Sequence, residues 1–392
     1  MTNVIDGPEP EESYTDNLFG SANYAPEQPI KKAFLPWHKP RKQFVRDKQW
    51  SYQILQLVKE IEPENHQIKY LGLPGDDLLD LRYFHDTICV PNNIKLKFLG
   101  FNRGAASGTE HKSDLEISLD EVIKLQFINP NSQLIGDDFS RIAIPHSVAH
   151  DRAIKGGPYD IINIDLCEGF AQQPPSDDIK GNYFDTLQHL MVLQARQNKP
   201  WLLFITTRTD VSCIDPSRLS VLKDLYDKNL RECESFLAAS TKEFSVCDRA
   251  SLDNYCLQED GTSNIFLTSL CKWIITLAIK QNPPAKVELK STIGYKVKEE
   301  ANFPDLISIA IKITPTHHIS KDITGLASQA DDFFGEGDLA TKVINRLSKQ
   351  VDADTLLKDD RELLESMINS SKVLLEKARY DIDSYSQWIL TN

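Results

Sequence analysis

The chain has 392 residues, 41% of them hydrophobic and 26% charged, with a net charge of -13. That length and apolar content can bury a full α/β core plus an appendage, one large domain with extensions rather than two equal ones. The acidic balance argues against a surface coated in positive charge for nucleic acid, though it leaves room for one basic face. No apolar run is read as approaching the roughly 18 residues of a membrane span, and the N-terminus lacks the basic-then-apolar order of a signal peptide, so a cytoplasmic protein is expected. The seven cysteines are scattered without a CxxC pair, which points to buried thiols rather than a zinc site or a disulfide framework.

Residues 1–30 are rich in Asp, Glu, Pro, Gly and Ser and contain no Lys or Arg, the composition of a disordered acidic tail. Charge reverses abruptly in residues 31–50, where Lys31, Lys32, Lys39, Arg41, Lys42, Arg46 and Lys48 are interleaved with Phe34, Trp37, His38, Phe44 and Trp50. Cations alternating with rings suit phosphates and stacked bases, which makes Trp37, Lys39, Arg41 and Lys42 candidate substrate-binding residues for a nucleic acid. The same pattern also suits an arm that wraps its own domain, rings anchoring and Lys stems lying over apolar surface. Residues 51–61 then carry Ile54, Leu55, Val58 and Ile61 as one helical stripe. Arm and leading helix together cover residues 31–65.

From residue 68 strands and helices alternate. The first strand, residues 68–73, runs into Gly72, Leu73, Pro74 and Gly75, a turn whose glycines let backbone pass close beneath a ligand. Asp76 and Asp77, just beyond, are placed to hold hydroxyls or a cationic group. A helical stretch through Leu78, Leu81, Phe84 and Ile88 follows, then a second strand at residues 95–101 ending on Asn102. The next helix is expected to begin at Ser118, with Glu121 completing a capping box. A short strand at residues 133–135 leads to Asp137 and Asp138; residues 159–165 and 201–206 read as the fourth and fifth strands, with a helix through Tyr183, Leu187, Leu190 and Met191 between them. The unbroken apolar run of the fifth suits a strand covered on both faces. Asp215 then caps a helix that starts at Pro216. After a helical insertion at residues 265–279, residues 286–297 and 306–313 read as two strands with no helix between them. The main domain is thus drawn as residues 66–320, followed by a hinge-like linker over 321–338 and a helical region over 339–392. Its final stretch, residues 355–390, reads as a long amphipathic helix that must bury its apolar face on its own domain, a second subunit or a partner protein.

Five strands separated by helices imply a parallel sheet with right-handed crossovers. Closed by an antiparallel hairpin, this order is similar to the class I S-adenosylmethionine-dependent methyltransferase fold, a Rossmann-like α/β architecture, over residues 68–314, as in a divergent bacterial member of that superfamily. The resemblance implies S-adenosylmethionine as cofactor. It places Gly72, Leu73 and Gly75 beneath the methionine part, counts Asp76 among the cofactor-binding residues, and puts Asn102 where the family has a ribose-binding carboxylate and Asp137 or Asp138 at the adenine amino group. Two positions depart from the pattern: Tyr70 and Leu71 precede the first glycine in place of an acidic residue, and Asn102 replaces a carboxylate. Asp165, at the end of the fourth strand, and Glu168 are the carboxylates that would meet the methyl acceptor as catalytic residues. Pro174 and Pro175 follow too late to match the motif of exocyclic-amine methylation. His146, His150, His317 and His318 carry no accompanying ligand pattern, and Asp331, Asp332, Glu336 and Asp338 lack calcium-loop spacing, so no metal is expected. Two functions stand side by side: a methyltransferase acting on a nucleic acid or other anionic substrate, and a scaffold of the same fold that binds nucleotide or nucleic acid and docks into a larger bacterial assembly through its C-terminal helices.

Overall fold

The computed structural model describes residues 30–106, 112–172, 181–258, 260–298, 301–316 and 335–391. The acidic tail, the Pro174-Pro175 segment and most of the 321–338 linker lie outside the described residues. Eight strands form one sheet: β1 (Gln67–Gly72), β2 (Lys95–Phe101), β3 (Gln133–Ile135), β4 (Ile161–Asp165), β5 (Trp201–Arg208), β6 (Ala285–Tyr295), β7 (Leu306–Pro315) and β8 (Val351–Asp352). Their order is β3-β2-β1-β4-β5-β7-β6-β8. β1 to β5 are parallel, and β7 runs antiparallel to both β5 and β6. The α/β class and the five-strand-plus-hairpin order therefore stand. β8 is an addition, a two-residue edge strand contributed by the C-terminal region and parallel to β6.

Alternation along the strands sorts side chains into two cores. Leu71, Ile162, Ile164, Leu203 and Ile205 belong to one, whereas Tyr70, Ile161, Leu202 and Phe204 join Trp50 and Phe84 in the other. Each large apolar side chain taken from water contributes about 1.5–3 kcal/mol, which is why the continuous run of β5 is legible as a strand covered on both sides. The Gly261–Lys280 helix corrects the composition reading. By length and apolarity it could cross a membrane, yet 67% of its apolar window is buried. Ile265, Phe266, Leu270 and Ile274 pack into the first core beside the Pro216–Glu232 helix.

Three further boundaries differ from expectation. The helix placed at Ser118 spans Lys112–Ile123. The Glu121 carboxylate makes no cap there, because Arg82 (2.5 Å) and Arg379 (3.3 Å) hold it. The stretch ahead of β1 is helical from Pro40 to Ile61, with Val45–Ser51 wound as π-turns. The expected single C-terminal helix is three: Ala353–Asp359, Arg361–Lys377 and Ile382–Thr391. Asp360 breaks the first junction by capping the next helix through Leu363 N–H (2.9 Å), and Arg379, in left-handed backbone at φ 70°, breaks the second. The apolar face of these helices packs on the chain itself: Met367, Leu374, Leu375 and Tyr385 join the core around Trp50.

Candidate functional site at the strand switch point

Strand order reverses between β1 and β4, whose crossovers lead to opposite sides of the sheet. Such a switch point opens a crevice at the carboxyl ends of the strands, the general ligand position in open α/β sheets. A cavity of about 290 Å³ lies there, with Leu73, Gly75, Asp76 and Asp77 from the β1 turn and Asp165, Leu166 and Cys167 from the end of β4. Its roof is the basic-aromatic arm, through Trp37, Arg41, Lys42 and Arg46, and its far wall is Tyr295, Lys296, Val297 and Leu306.

The arm cations are committed within the chain. Lys42 Nζ lies 2.6 and 2.7 Å from the two Asp165 carboxylate oxygens and 4.4 Å from the centre of the Trp50 ring. Arg46 Nε meets Asp80 at 2.6 Å, and Arg41 Nη1 meets Asp354 at 3.0 Å. Lys31 pairs with Asp77, Lys32 with Asp381 and Lys48 with Asp47, while Lys39 sits over the Trp388 ring. Lys42 and Arg46 are four residues apart, so one helix face carries both into the cavity. Burial opposes the charge of Lys42, but Asp165 more than compensates and raises its pKa. Burial, reinforced by Asp80, raises Asp165 and is only partly countered by Lys42. Burial likewise works against ionisation of Asp77, yet His38, Lys31 and the Tyr380 hydroxyl (2.7 Å) hold its carboxyl far below the usual range. Tyr295 is pushed up to about 12, chiefly by burial.

The structure gathers some of the sequence-predicted residues and separates others. Leu73, Gly75, Asp76, Asp165, Trp37, Arg41 and Lys42 share the cavity; Lys39 lies outside it, in a surface recess with Leu357 and Ile389. Gly72 does not line the cavity, and a Cβ there would meet the Tyr70 phenol ring at 2.6 Å, so this glycine makes room for a neighbouring side chain rather than a ligand. Around Gly75, by contrast, there is open space. Glu168 is exposed and contributes only a backbone carbonyl, to Arg208 N–H at 3.2 Å.

Asn102, Asp137 and Asp138 stand to one side. Asn102 donates its amide to the Pro74 carbonyl and to Asp76 Oδ1, each at 3.0 Å. Asp138 caps the Phe139–Ala143 turn through Ser140 N–H (2.7 Å) and pairs with Arg103; Asp137 accepts from Asp138 N–H (2.8 Å) and lies 3.5 Å from Arg141. Burial opposes the charge on Asp138, but these bonds hold its pKa below the ordinary carboxylate value. The turn at residues 103–106 packs so closely on β3 that a Cβ at Gly136 would lie 2.6 Å from the backbone of Ala105 and Ala106.

Asp80, Tyr295 and Lys296 join the cavity lining outside the motif positions. Asp80 was accessible to sequence reasoning, one helical turn beyond Asp76 and Asp77; the other two come from the far end of β6 and required the tertiary fold. Among the described residues no group of three or more His, Cys, Asp or Glu side chains is arranged to hold a metal ion.

No curated protein matches the sequence. Among solved structures, the chain is similar to a protein from Listeria monocytogenes described as a class I S-adenosylmethionine-dependent methyltransferase, at 9% identity and a TM-score of 0.33, covering 71% of this chain and 63% of that one. It is also similar to one from Vibrio vulnificus described as a modification subunit of a type I restriction enzyme, at 9% identity and a TM-score of 0.30, covering 74% of this chain and 45% of that one. The chain thus spans less than two thirds of the length of either. One family model matches residues 31–390, the arm, sheet and C-terminal helices together, and the chain therefore belongs to the PP_RS20740-like family.

Proposed function

We propose that this protein is a methyltransferase-like protein whose switch-point cavity binds an S-adenosylmethionine-class ligand. The observation that carries the reading is the Asp76–Asn102 hydrogen bond. The carboxylate absent from the end of β2 is supplied there by the β1 turn, with Asp76 lining the cavity and one of its oxygens fixed at 3.0 Å from the Asn102 amide. A fixed carboxylate beside open space at Gly75 suits a ribose diol, because both hydroxyls can donate to it. The ligand, when bound, supplies an electrophilic methyl group. The chain's own contribution is to cover the cavity with Trp37, to line its floor with Leu73 and Leu166, and to set charges of both signs around it.

One observation favours a second reading, a ligand-binding scaffold without transfer. Lys42 is bonded to both oxygens of Asp165, so the carboxylate at the end of β4 is engaged and is not free to take a proton from an acceptor. Calorimetric titration with S-adenosylmethionine and with its demethylated product tests both. Binding that Asp76→Ala weakens at least about tenfold, and that Asp138→Ala leaves unchanged, supports the cofactor reading. Binding without methyl transfer to DNA, RNA or protein acceptors supports the scaffold, and no binding of either ligand refutes the S-adenosylmethionine assignment.

A further inference from the structure

A second cavity, of about 230 Å³, lies on the first-core face near the opposite, amino-terminal ends of β1 and β2 and is lined by Lys69, Lys97, Arg152 and Lys155, with Asn131 and Gln133 among its polar groups. No carboxylate lines it. Lys69 and Lys97 are direct partners across the parallel β1–β2 pair, so their backbones are about 4.8 Å apart and their side chains leave the same face of the sheet. Like charges opposite one another on adjacent strands destabilise a sheet. Arg152 and Lys155 bring two more cations from the last turns of the Val148–Gly156 helix. Among these four, the one side-chain bond is a 3.4 Å contact from Arg152 to Gln133 Oε1. One neighbouring acid, Asp160, accepts from Lys69's backbone N–H at 2.8 Å and from Gln197 at 3.3 Å, and so offsets at most one of the charges. Lys69 and Lys97 are half-buried, Arg152 and Lys155 are exposed, and among the described residues none of the four pairs with a carboxylate side chain, although the chain carries a net charge of -13. Four cations thus converge on one cavity whose lining includes no carboxylate.

We infer that this cleft is an anion site for a phosphorylated small molecule, an oligophosphate group such as that of a nucleotide. Lysines supply point charges, Arg152 adds a planar fork for phosphate oxygens, and Asn131 and Gln133 add amide donors. A compact cavity suits a small oligophosphate better than a nucleic-acid backbone, which is followed by cations spread along a groove. The inference does not depend on the S-adenosylmethionine reading, since the two cavities share no lining residue.

The test is calorimetric titration of the full-length protein with tripolyphosphate at low and high salt. Binding is expected, weaker at high salt, and weakened at least about tenfold by Lys97→Glu and by Arg152→Glu. Asp76→Ala, in the other cavity, should bind tripolyphosphate as the wild type does. Should a charge reversal fail to fold, Lys97→Gln serves with thermal melting: the rise in Tm that tripolyphosphate gives the wild type should shrink in this variant. Absence of binding, wild-type binding by the charge variants, or binding of duplex DNA through these residues without binding of tripolyphosphate would each overturn the inference.

Discussion

Replacing Lys42 with Met would leave Asp165 buried without its counter-charge while keeping much of the side-chain volume. The two groups are only 5% and 17% exposed, and they meet at 2.6 Å. At an effective dielectric of 20 that attraction alone is about 6 kcal/mol, and the Trp50 ring adds about 1 kcal/mol. The desolvation that both charges suffer offsets part of this, so a net loss of about 3 kcal/mol is expected for Lys42→Met. Asp165→Asn should cost less, and the double variant should recover much of the loss, giving a coupling of about 2 kcal/mol in a double-mutant cycle. Urea denaturation of the four proteins, read by tryptophan fluorescence, measures each value. A loss below about 1 kcal/mol for Lys42→Met, or strict additivity of the two changes, would refute a committed buried ion pair.

Three more outcomes follow from the same geometry. Asp77 has a folded pKa below its unfolded value of about 3.9, so its contribution is complete above that value and is lost as pH falls toward the folded pKa; Asp77→Asn should destabilise at neutral pH and flatten the acid limb of a stability profile, and unchanged acid sensitivity would contradict this. Gly72→Ala drives a methyl group into the Tyr70 ring and should cost about 1–3 kcal/mol, part of which Tyr70→Leu should restore; a single variant with an unaltered urea midpoint would rule the clash out. Asp215→Ala removes the acceptor of Ser217 N–H (3.0 Å) and Arg218 N–H (3.1 Å) and should lower stability by about 1 kcal/mol, measured in the same way.

Much of the sheet is legible because β1 to β7 announce themselves locally, whereas the two-residue β8 does not. Residues 201–206 carry the buried run of β5, and Asp215-Pro216 spells a helix start in two residues. The site was legible only in part. The turn after β1 and the end of β4 are local features, and both reach the cavity. What remained hidden depends on partners distant in sequence. Asn102 reads as a lost carboxylate until Asp76 is seen beside it, 26 residues away. Glu121 looks like a capping residue until Arg82 claims it. The arm's cations fit a polyanion as well as they fit their own chain, since local charge pattern carries no information about which carboxylate will arrive. The C-terminal helix reads as continuous because apolar spacing survives a break, whereas the caps that cause the break are single residues such as Asp360.

The roof of the switch-point cavity also has a history in time. Tyr385 donates to the His38 carbonyl across 347 residues, Tyr380 to Asp77 across 303, and Arg41 to Asp354 across 313. A chain made at about 5–20 residues per second exposes the arm roughly 17–70 s before the last of those partners exists. Until then the arm is held by Asp77, Asp80 and Asp165 but lacks the Tyr385 bond at the His38 carbonyl. Contacts of such separation form late and slowly in folding as well, so the ligand cavity is expected to be the final part of the domain to set, after the sheet that carries it.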